Sequence, residues 1–445
     1  MSYAPQSDSE IKELLSACQV DTIEELFESV PRELRQDTSA RLNPPLDEYQ
    51  ILQKTREAAQ NVFTGKAYIG YGNYAHRIPV AVNHLGSLRQ FVTSYTPYQP
   101  EVAQGILQAL YEYQSQMAVL TSLPVANASL YDATTALLEA VRMILRTDIK
   151  NTERPLFLLS EGILPACREV LFSYFNGDAD ADPVFIEVPL NKKTGATDWQ
   201  QVAEQKPAGI LFQNPTFFGS LETELEKLKI MFPEAIIAYG CHDPHLLTLL
   251  TAPAEIGARI VWGDAQSLGT ALNFGGPSLG FLAAHTDYLR QMPGRLVGKT
   301  TARSSANPEE EVDAYVITLA TREQHIRREK ATSNICSNQT LIAVRASIYM
   351  AALGWEGMRD VAVKCIEKTD NFRQALQQKK IDLVFDNAIW GNEISYVLKD
   401  RDKTLQKALE KNIIPGFSFG SDVLISCLNE TVSESELQEL AEILG

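Results

Sequence analysis

The sequence predicts an α/β fold with a mostly parallel sheet in a large domain, followed by a smaller α+β unit. From about residue 100 onward, short apolar segments alternate with segments long enough to form helices, which is the pattern of βαβ units. The chain has 445 residues, too many for one small core, so a large domain and a smaller one are expected. Hydrophobic residues make up 45% and charged residues 22%, as is ordinary for a globular protein.

The first 60 residues are predicted to form a helical arm. Ser7 followed by Glu10 is a capping-box pattern, after which apolar residues recur at helical spacing. Two adjacent prolines farther along favour extended backbone. The predicted segments are a helix from Ser7, a short helix at Thr22–Phe27, an extended linker at Arg41–Leu46 and a polar amphipathic helix at Asp47–Asn61.

The central part of the chain is predicted to supply the sheet and its covering helices. The strands are assigned to the short apolar segments Pro155–Leu159, Val184–Val188, Gly209–Gln213, Ala235–Tyr239, Arg259–Trp262 and Leu279–Ala283. The helices are assigned to Gln99–Leu120, Tyr131–Arg146, Ala166–Phe175, Leu221–Met231 and Asn338–Leu353. We therefore divide the chain into an arm over residues 1–60, a large domain over residues 61–354 and a small C-terminal α+β domain over residues 355–445.

Charge and cysteine usage argue against several classes of partner. The net charge of −16 disfavours nucleic acid and anionic membrane surfaces, since both repel an acidic protein. Six cysteines are scattered singly, without the close pairs of a zinc site or a disulfide framework. The N-terminus shows no signal-peptide pattern, and no apolar run approaches the roughly 18 residues that cross a bilayer. We expect a soluble cytoplasmic protein with reduced thiols.

The segment Tyr95–Glu101, with the sequence YTPYQPE, combines two tyrosines and two prolines just before a predicted helix. Such a rigid loop can aim the phenol groups of Tyr95 and Tyr98 at a functional site. It can equally be a connector whose tyrosines cover apolar surface, and the residue types alone favour neither interpretation.

A second candidate site lies at the start of the helix predicted from Tyr131. Asn127 and Ser129, together with the free amides of a helix N-terminus, would suit an anion such as phosphate. Asn, Ser and Asp are also the usual helix caps, and capping is the favoured interpretation.

Three other segments carry weaker signals. Phe274–Phe281 is a glycine-containing turn that allows close backbone approach but lacks a nucleotide-binding pattern. His242 and His245 flank Asp243 closely but would need a third ligand to hold a metal, so we favour a cleft lining at a strand end. A basic patch could bind a carboxylate or phosphate, or pair with surrounding acids, and pairing is favoured. It consists of Arg322, His325, Arg327, Arg328 and Lys330.

Seven segments of the chain occur together, in the same order, in one known family. They are YTPYQPE at Tyr95–Glu101, ANASLYD at Ala126–Asp132, QNP at Gln213–Pro215, GDAQSLG at Gly263–Gly269, FGGPSLGF at Phe274–Phe281, MPGRLVG at Met292–Gly298 and TREQHIRREKATSNIC at Thr321–Cys336. The sequence thereby resembles the P-protein of the glycine cleavage system, glycine dehydrogenase (decarboxylating), in its α-subunit or subunit 1 form. The resemblance covers nearly the whole chain, and the ordered set is far more specific than any one segment.

The resemblance implies the fold-type-I architecture of pyridoxal 5′-phosphate (PLP) enzymes. This is the fold of aspartate aminotransferase, with a large, mostly parallel seven-stranded sheet and a small C-terminal domain. It also implies a heterotetramer of two α and two β chains, the β chain being subunit 2. The family's reaction decarboxylates glycine and passes the aminomethyl group to the lipoyl arm of H-protein.

The residues that would hold PLP on this chain are incomplete. A PLP enzyme needs a lysine for the Schiff base and a carboxylate that keeps the pyridine nitrogen protonated. By comparison with the turn of the catalytic β-type chain, the lysine position falls on Gln266, and glutamine cannot form an imine. Asp243 remains near the place of the pyridine-facing carboxylate, and Leu164 stands where the family usually shows a histidine. No catalytic residue is therefore expected on this chain alone, and no metal.

We therefore expect a subunit that completes its partner's site. Tyr95 and Tyr98 would face PLP bound covalently to the β partner, while Asn127, Ser129 and Asp243 would line a vestigial pocket. One alternative is an autonomous homodimeric PLP-dependent decarboxylase or aminotransferase that uses another lysine, with Lys299 and Lys330 as candidates. The other alternative is a non-enzymatic scaffold protein.

Overall fold

The structure is a computed structural model that describes residues 6–35, 43–147, 154–176, 183–304, 306–336 and 338–445. The chain forms two compact units, Met1–Thr64 and Gly65–Gly445. The predicted linker Arg41–Leu46 lies partly outside the described residues, since Arg41 and Leu42 are not among them, and residues 43–46 have no regular structure.

Among its described residues, the N-terminal unit has two α-helices, each with a closed capping box. The helices are α1 (Asp8–Ala17) and α2 (Glu48–Ala59). Ser7 caps α1 by accepting a hydrogen bond from the Glu10 amide, while the Glu10 carboxylate accepts one from the Ser7 amide at 2.7 Å. Both predicted helices are thus confirmed, and the segment predicted at Thr22–Phe27 is a 3₁₀ turn at Glu24–Phe27. Neither helix contains a buried residue, so capping supplies much of their local order.

The elements of both units, numbered along the chain, are as follows. The strands are β1 (Lys66–Ala67), β2 (Val125–Ala126), β3 (Leu156–Ser160), β4 (Val184–Val188), β5 (Gly209–Gln213), β6 (Ile236–Cys241), β7 (Ala258–Asp264), β8 (Gly280–Ala284), β9 (Leu296–Arg303), β10 (Glu311–Thr318), β11 (Glu393–Val397), β12 (Ile413–Ile414), β13 (Phe417–Phe419) and β14 (Val423–Cys427). The helices after α2 are α3 (Val80–Gly86), α4 (Arg89–Val92), α5 (Gln104–Thr121), α6 (Ala133–Leu145), α7 (Pro165–Tyr174), α8 (Leu228–Met231), α9 (Gln324–Arg327), α10 (Thr340–Gln378), α11 (Arg401–Glu410) and α12 (Glu434–Leu444).

The largest sheet has seven strands within the described residues, in the order β2-β8-β7-β6-β5-β3-β4. Strands β4, β3, β5, β6 and β7 run parallel, and β8 is antiparallel to both of its neighbours. All six predicted strands overlap observed ones, which confirms the α/β fold with a mostly parallel sheet.

Apolar side chains on both faces of this sheet explain why its strands are continuous apolar segments. Along β5, Ile210 and Phe212 belong to one buried cluster, whereas Leu211 belongs to the cluster on the opposite face. Helices α5 and α10 pack together on the first face, and α6 and α7 pack together on the second. Strands that are covered on both faces in this way are typical of parallel sheets.

Two predictions of secondary structure need correction. The helix predicted at Leu221–Met231 is wrong over most of its length, because only a 3₁₀ turn at Leu225–Lys227 and the four-residue α8 form there. The residue before that turn, Glu224, has a φ of 57°, which a helix does not allow. The hairpin of β9 and β10 was not predicted, because from Lys299 onward β9 is exposed and carries polar residues.

The C-terminal part is built on a three-stranded antiparallel sheet in the order β11-β14-β13, with β1 and β12 forming a separate parallel pair. Helix α10 runs into this part through a kink at Gly354, where φ is 65° and ψ is −178°. Only glycine adopts that conformation readily. We propose residues 61–354 and 355–445 as the two domains beyond the arm, with their boundary at this kink. None of the helices in the described ranges is long and apolar enough to span a bilayer.

Candidate functional site

The candidate site lies where the parallel strands β6 and β7 end side by side in the sheet. His242 and Asp243 follow β6 directly, and Gln266 follows β7 by two residues. All three side chains are buried. Ligand sites of open α/β sheets lie at the carboxyl ends of the strands, so this is the expected place for a functional site.

Gln266 is held by the main chain of a distant loop. Its amide oxygen accepts a hydrogen bond from the Tyr74 amide at 3.0 Å, and its amide nitrogen donates to the Tyr74 carbonyl at 3.2 Å and to the Thr270 carbonyl. Its own main-chain N–H donates to Asp264 Oδ1 at 2.8 Å. Both side-chain donors are thus occupied, and the side chain fixes a segment of protein at the strand end.

Asp243 is surrounded by donors and has an exposed fraction of only 1%. Its Oδ1 atom accepts from His245 Nδ1 at 2.7 Å and from Ser267 Oγ at 3.1 Å. Its Oδ2 atom accepts from His76 Nε2 at 3.1 Å and from Asn392 Nδ2 at 2.9 Å. Burial acts to raise the pKa of Asp243, but the charge of His76 and the hydrogen bonds outweigh it and hold that pKa below its usual range.

His76 lies between two carboxylates. Its Nε2 atom contacts Asp243 Oδ2, and its Nδ1 atom contacts Glu430 Oε2 at 2.8 Å. Since a carboxylate only accepts hydrogen bonds, both ring nitrogens carry a proton and the ring is an imidazolium. Burial acts to lower the pKa of His76, yet the two carboxylates prevail and raise it well above its usual value.

His245, in contrast to His76, is neutral. Its Nδ1 atom donates to Asp243, and its Nε2 atom lies 3.0 Å from the Tyr349 hydroxyl, which can donate to it. Burial lowers the pKa of His245, so the ring is neutral. Asp243 therefore faces one charged histidine and one neutral histidine. The contacts of His76 and His245 with the carboxylate have the lengths of hydrogen bonds.

The segment Gly70–His76 approaches this site closely. The Tyr74 hydroxyl donates to Glu393 Oε2 at 2.8 Å, and burial raises the pKa of Glu393 to about 7. A Cβ atom on Gly70 would lie 2.1 Å from Glu393 Oε1. Gly72 has a φ of 80°, and a Cβ atom there would lie 3.2 Å from His242 Nδ1 and 3.1 Å from Leu164 Cδ2. The loop thus packs directly against the strand ends.

The tyrosine loop, Tyr95–Glu101, lies on the surface. Tyr95 has an exposed fraction of 84% and Tyr98 one of 49%. The Tyr98 ring has the Arg295 guanidinium at 5.6 Å and the His325 ring at 5.7 Å from its centre. A groove of about 540 Å³ runs along the loop and includes both tyrosines in its lining. The structure thus brings together three segments that the sequence presents separately, the tyrosine loop and those around Arg295 and His325.

Asn127 and Ser129 are buried and bonded to main chain. Asn127 Oδ1 accepts from the Leu282 amide at 3.2 Å and Nδ2 donates to the Pro293 carbonyl at 3.2 Å. Ser129 Oγ accepts from the Gln339 amide at 3.0 Å. Helix α6 has its own cap, because the Asp132 carboxylate accepts a hydrogen bond from the Thr135 amide at 2.8 Å. That negative charge at the helix N-terminus disfavours a bound anion there.

The other segments singled out from the sequence lie elsewhere. Phe274, in the glycine-containing turn, is exposed, and the space around Gly275 is open. Arg322 is half-buried and donates to the Met292 and Gly294 carbonyls, while Arg327, Arg328 and Lys330 are exposed. Lys299 lies on β9 and forms an ion pair with Asp313 on β10 at 2.7 Å.

Several buried members of the site had no sequence signal. Each of them lies roughly 150 to 350 residues along the chain from a residue that it contacts, in a segment without a motif. These members are Tyr74, His76, Asn392, Glu393 and Glu430. Only their proximity in the folded chain identifies them. We call His76, Asp243, Gln266, Glu393 and Glu430 the strand-end cluster.

Solved structures define the class of protein to which this fold belongs. Aspartate aminotransferase from Thermus thermophilus is similar with a TM-score of 0.56 at 12% identity, over 83% of this chain and 97% of that chain. The architecture is that of fold-type-I PLP-dependent enzymes, as the sequence implied.

The family follows from closer matches. The model of the glycine cleavage system P-protein family matches residues 1–444. The crystal structure of a glycine decarboxylase (P-protein) of the glycine cleavage system has a TM-score of 0.82 at 34% identity, over 100% of this chain and 99% of that one. A probable glycine dehydrogenase (decarboxylating) subunit 1 from Moorella thermoacetica is 38% identical in an alignment of 456 positions, which covers 100% of this chain and 98% of the relative. The chain belongs to the glycine cleavage system P-protein family.

The residues at the strand ends do not fit the cofactor of this fold class. Gln266 cannot form an imine, and its amide is bonded to the main chain of Tyr74. Both oxygens of Asp243 already accept hydrogen bonds from protein side chains, which leaves none directed at a pyridine nitrogen. We therefore derive no chemical step through PLP on this chain.

Proposed function

We propose that this chain is the subunit of a heteromeric glycine decarboxylase that forms no Schiff base. Its partner, subunit 2, carries PLP covalently, and the complex decarboxylates glycine and passes the aminomethyl group to the lipoyl arm of H-protein. The observation that carries this proposal is Gln266, bonded to the Tyr74 main chain in the place expected for lysine. Full-length similarity to subunit 1 proteins supports the same assignment.

In this proposal the chain contributes to catalysis through the tyrosine loop. PLP supplies the electron sink for decarboxylation when it is bound to the partner. Tyr95 and Tyr98 are phenols on a loop with two prolines, and their exposed fractions leave them free to reach another chain. The Arg295 guanidinium beneath the Tyr98 ring favours one position of that ring. The two hydroxyls would orient substrate or cofactor groups in the partner's site.

The residues of this chain's own pocket have a different part in the proposal. Asp243 is a relic of the carboxylate that faces the pyridine nitrogen in active chains of this fold. Asn127 and Ser129 belong to the same vestigial pocket, where their hydrogen bonds to main chain support a structural role.

The proposed assembly is a heterotetramer of two α and two β chains in the cytoplasm. All six cysteines are free thiols, which is compatible with a reducing compartment.

The proposal is tested by co-expression of this chain with subunit 2 and a glycine–bicarbonate exchange assay. We expect exchange activity from the complex and little or none from either chain alone. Equal activity of subunit 2 without this chain would show that the chain is not required for the reaction. A visible PLP imine on the purified chain alone, reducible by borohydride, would contradict its assignment as the subunit without a Schiff base.

A further inference from the structure

The strand-end cluster has a positive charge, on His76, beside Asp243. In a fold-type-I enzyme the corresponding carboxylate is expected to face the positively charged pyridine ring of the cofactor. In such enzymes a carboxylate keeps the pyridine nitrogen of PLP protonated. In this chain the Asp243 carboxylate receives a hydrogen bond from His76 Nε2 at 3.1 Å. An imidazolium and a pyridinium are both flat aromatic cations with an N–H donor in the ring plane, so the two present the same group to a carboxylate.

The other groups around His76 also favour a positive charge on its ring. Glu430 accepts from the second ring nitrogen at 2.8 Å and is itself fixed by the Arg77 amide at 2.7 Å. The neutral His245 ring lies 4.4 Å from the His76 ring, centre to centre. Cys365, buried on α10, has its sulfur 3.8 Å from Glu430 Oε2, and burial raises the pKa of this thiol, which keeps it neutral. Two carboxylates therefore face one cation.

The loop that carries His76 is also bonded to Gln266, the residue at the expected lysine position. Tyr74 lies two residues before His76, and its main-chain N–H and C=O are both bonded to the Gln266 amide. Gly70 and Gly72 allow the loop to approach Glu393, His242 and Leu164 more closely than a side chain would permit. The same seven residues thus contact both Asp243 and Gln266, the two positions at which an active chain of this fold is expected to hold its cofactor.

We propose that the segment Gly70–His76 is a built-in replacement for PLP, with the His76 ring acting toward Asp243 as the pyridinium does and the Tyr74 main chain filling the place of the Schiff base. The pocket is thereby closed by the chain itself. This closure of the pocket is a feature separate from the loss of the lysine. It holds whichever chain carries the catalytic cofactor. Restoring a lysine at position 266 therefore does not restore PLP binding.

The first test uses the full-length chain with the substitution Gln266→Lys, incubated with PLP and reduced with borohydride. We expect peptide mass spectrometry to find no more pyridoxyl group at residue 266 than background labelling of surface lysines in the unsubstituted chain. Near-stoichiometric pyridoxyl-lysine at residue 266 would overturn the proposal, because it would show that the pocket is open once the lysine is present.

The second test measures the charge of His76 without changing the pocket. The chain has six histidines, so selective ¹⁵N-histidine labelling gives few signals, and His76→Gln identifies the one of interest. We expect both His76 ring nitrogens to remain protonated from about pH 6 to pH 8. A neutral His76 ring at pH 7 would overturn the proposal. One equivalent of tightly bound metal would overturn it too, since an ion would then provide the charge.

The third test compares two substitutions of histidine. We expect His76→Gln to lower the unfolding midpoint by about 3–6 °C, because it leaves the carboxylates of Asp243 and Glu430 without their cation. Adding Asp243→Asn should restore part of that loss, since it removes one of those charges. His84→Gln, on the exposed side of α3, should leave the midpoint within about 1 °C. Equal midpoints for His76→Gln and His84→Gln would contradict the role assigned to His76.

Discussion

The strand-end cluster and the tyrosine loop differ in how completely their polar groups are satisfied. In the cluster, Asp243 accepts four side-chain hydrogen bonds and Gln266 is bonded on both sides of its amide. In the loop, the Tyr95 ring is almost fully exposed. A site that binds a ligand needs groups that are free to bind it, and the loop has them where the cluster does not. The difference supports the proposal that this chain acts on its partner's site while its own is closed.

The largest effect on stability is expected from breaking the cluster at Asp243. Asp243→Asn should lower the free energy of unfolding by about 3–5 kcal/mol, because it removes the buried charge that accepts four hydrogen bonds and leaves His76 with Glu430 as its one carboxylate partner. Denaturant unfolding of the purified chain measures this. The control is Asp313→Asn, which breaks the Lys299 pair, whose side chains are 44% and 58% exposed, and should change the stability far less. Similar losses for the two variants would show that the cluster contributes no more than a surface pair.

A smaller effect is expected from the pH dependence of Glu393. Burial raises its pKa from 4.5 to about 7, so the folded chain binds this proton more tightly than the unfolded chain does. The stability contributed by the proton is complete below about pH 4.5 and is lost as the pH rises through about 7. Glu393→Gln should therefore be more stable than the unsubstituted chain at pH 8, by up to about 3 kcal/mol, with little difference at pH 4.5. A difference that does not change with pH would contradict this assignment.

Substitutions in the tyrosine loop should change the activity of the complex and leave the stability of the chain unchanged. In the complex with subunit 2, Tyr95→Phe or Tyr98→Phe should lower glycine–bicarbonate exchange by about 10- to 100-fold, if each hydroxyl bonds to a charged group in the partner's site. The unfolding midpoint of the chain should not change. Tyr174→Phe is a matched control, since Tyr174 has the same exposed fraction of 49% as Tyr98 and lies on α7. Full activity of both loop variants would favour a purely structural subunit.

The smallest effect is expected at Ser129. Ser129→Ala removes the acceptor of the Gln339 amide and should lower the free energy of unfolding by about 1–2 kcal/mol. Because Ser129 is buried and bonded to main chain, binding of inorganic phosphate, measured by titration calorimetry, should be undetectable both before and after the substitution. Phosphate binding that is lost in Ser129→Ala would instead support the anion site considered from the sequence.

The sheet was predictable because its strands are covered on both faces. Buried parallel strands such as Gly209–Gln213 are continuous apolar segments between helices, and this signal is local in the sequence. The β9–β10 hairpin lacks such a signal because exposed, polar residues such as Lys299 occupy it. At Leu221–Met231 the apolar residues suggested a helix, but Leu225 and Leu228 are buried from short turns instead.

The site was only half predictable for a related reason. Asp243 and Gln266 follow strands that the sequence reveals, so their place at the strand ends could be expected. Their partners could not be, because His76 meets Asp243 across 167 residues and Tyr74 meets Gln266 across 192. Such pairings are set by the fold as a whole, and no local pattern encodes them.

The proposed role of this chain is to carry no cofactor itself and to complete a site on its partner. The most direct measurement is borohydride reduction of the co-expressed complex, followed by peptide mass spectrometry of both chains and a count of pyridoxyl groups. We expect one pyridoxyl-lysine for each pair of chains, located entirely on subunit 2. A pyridoxyl-lysine on this chain, in stoichiometric amount, would contradict it.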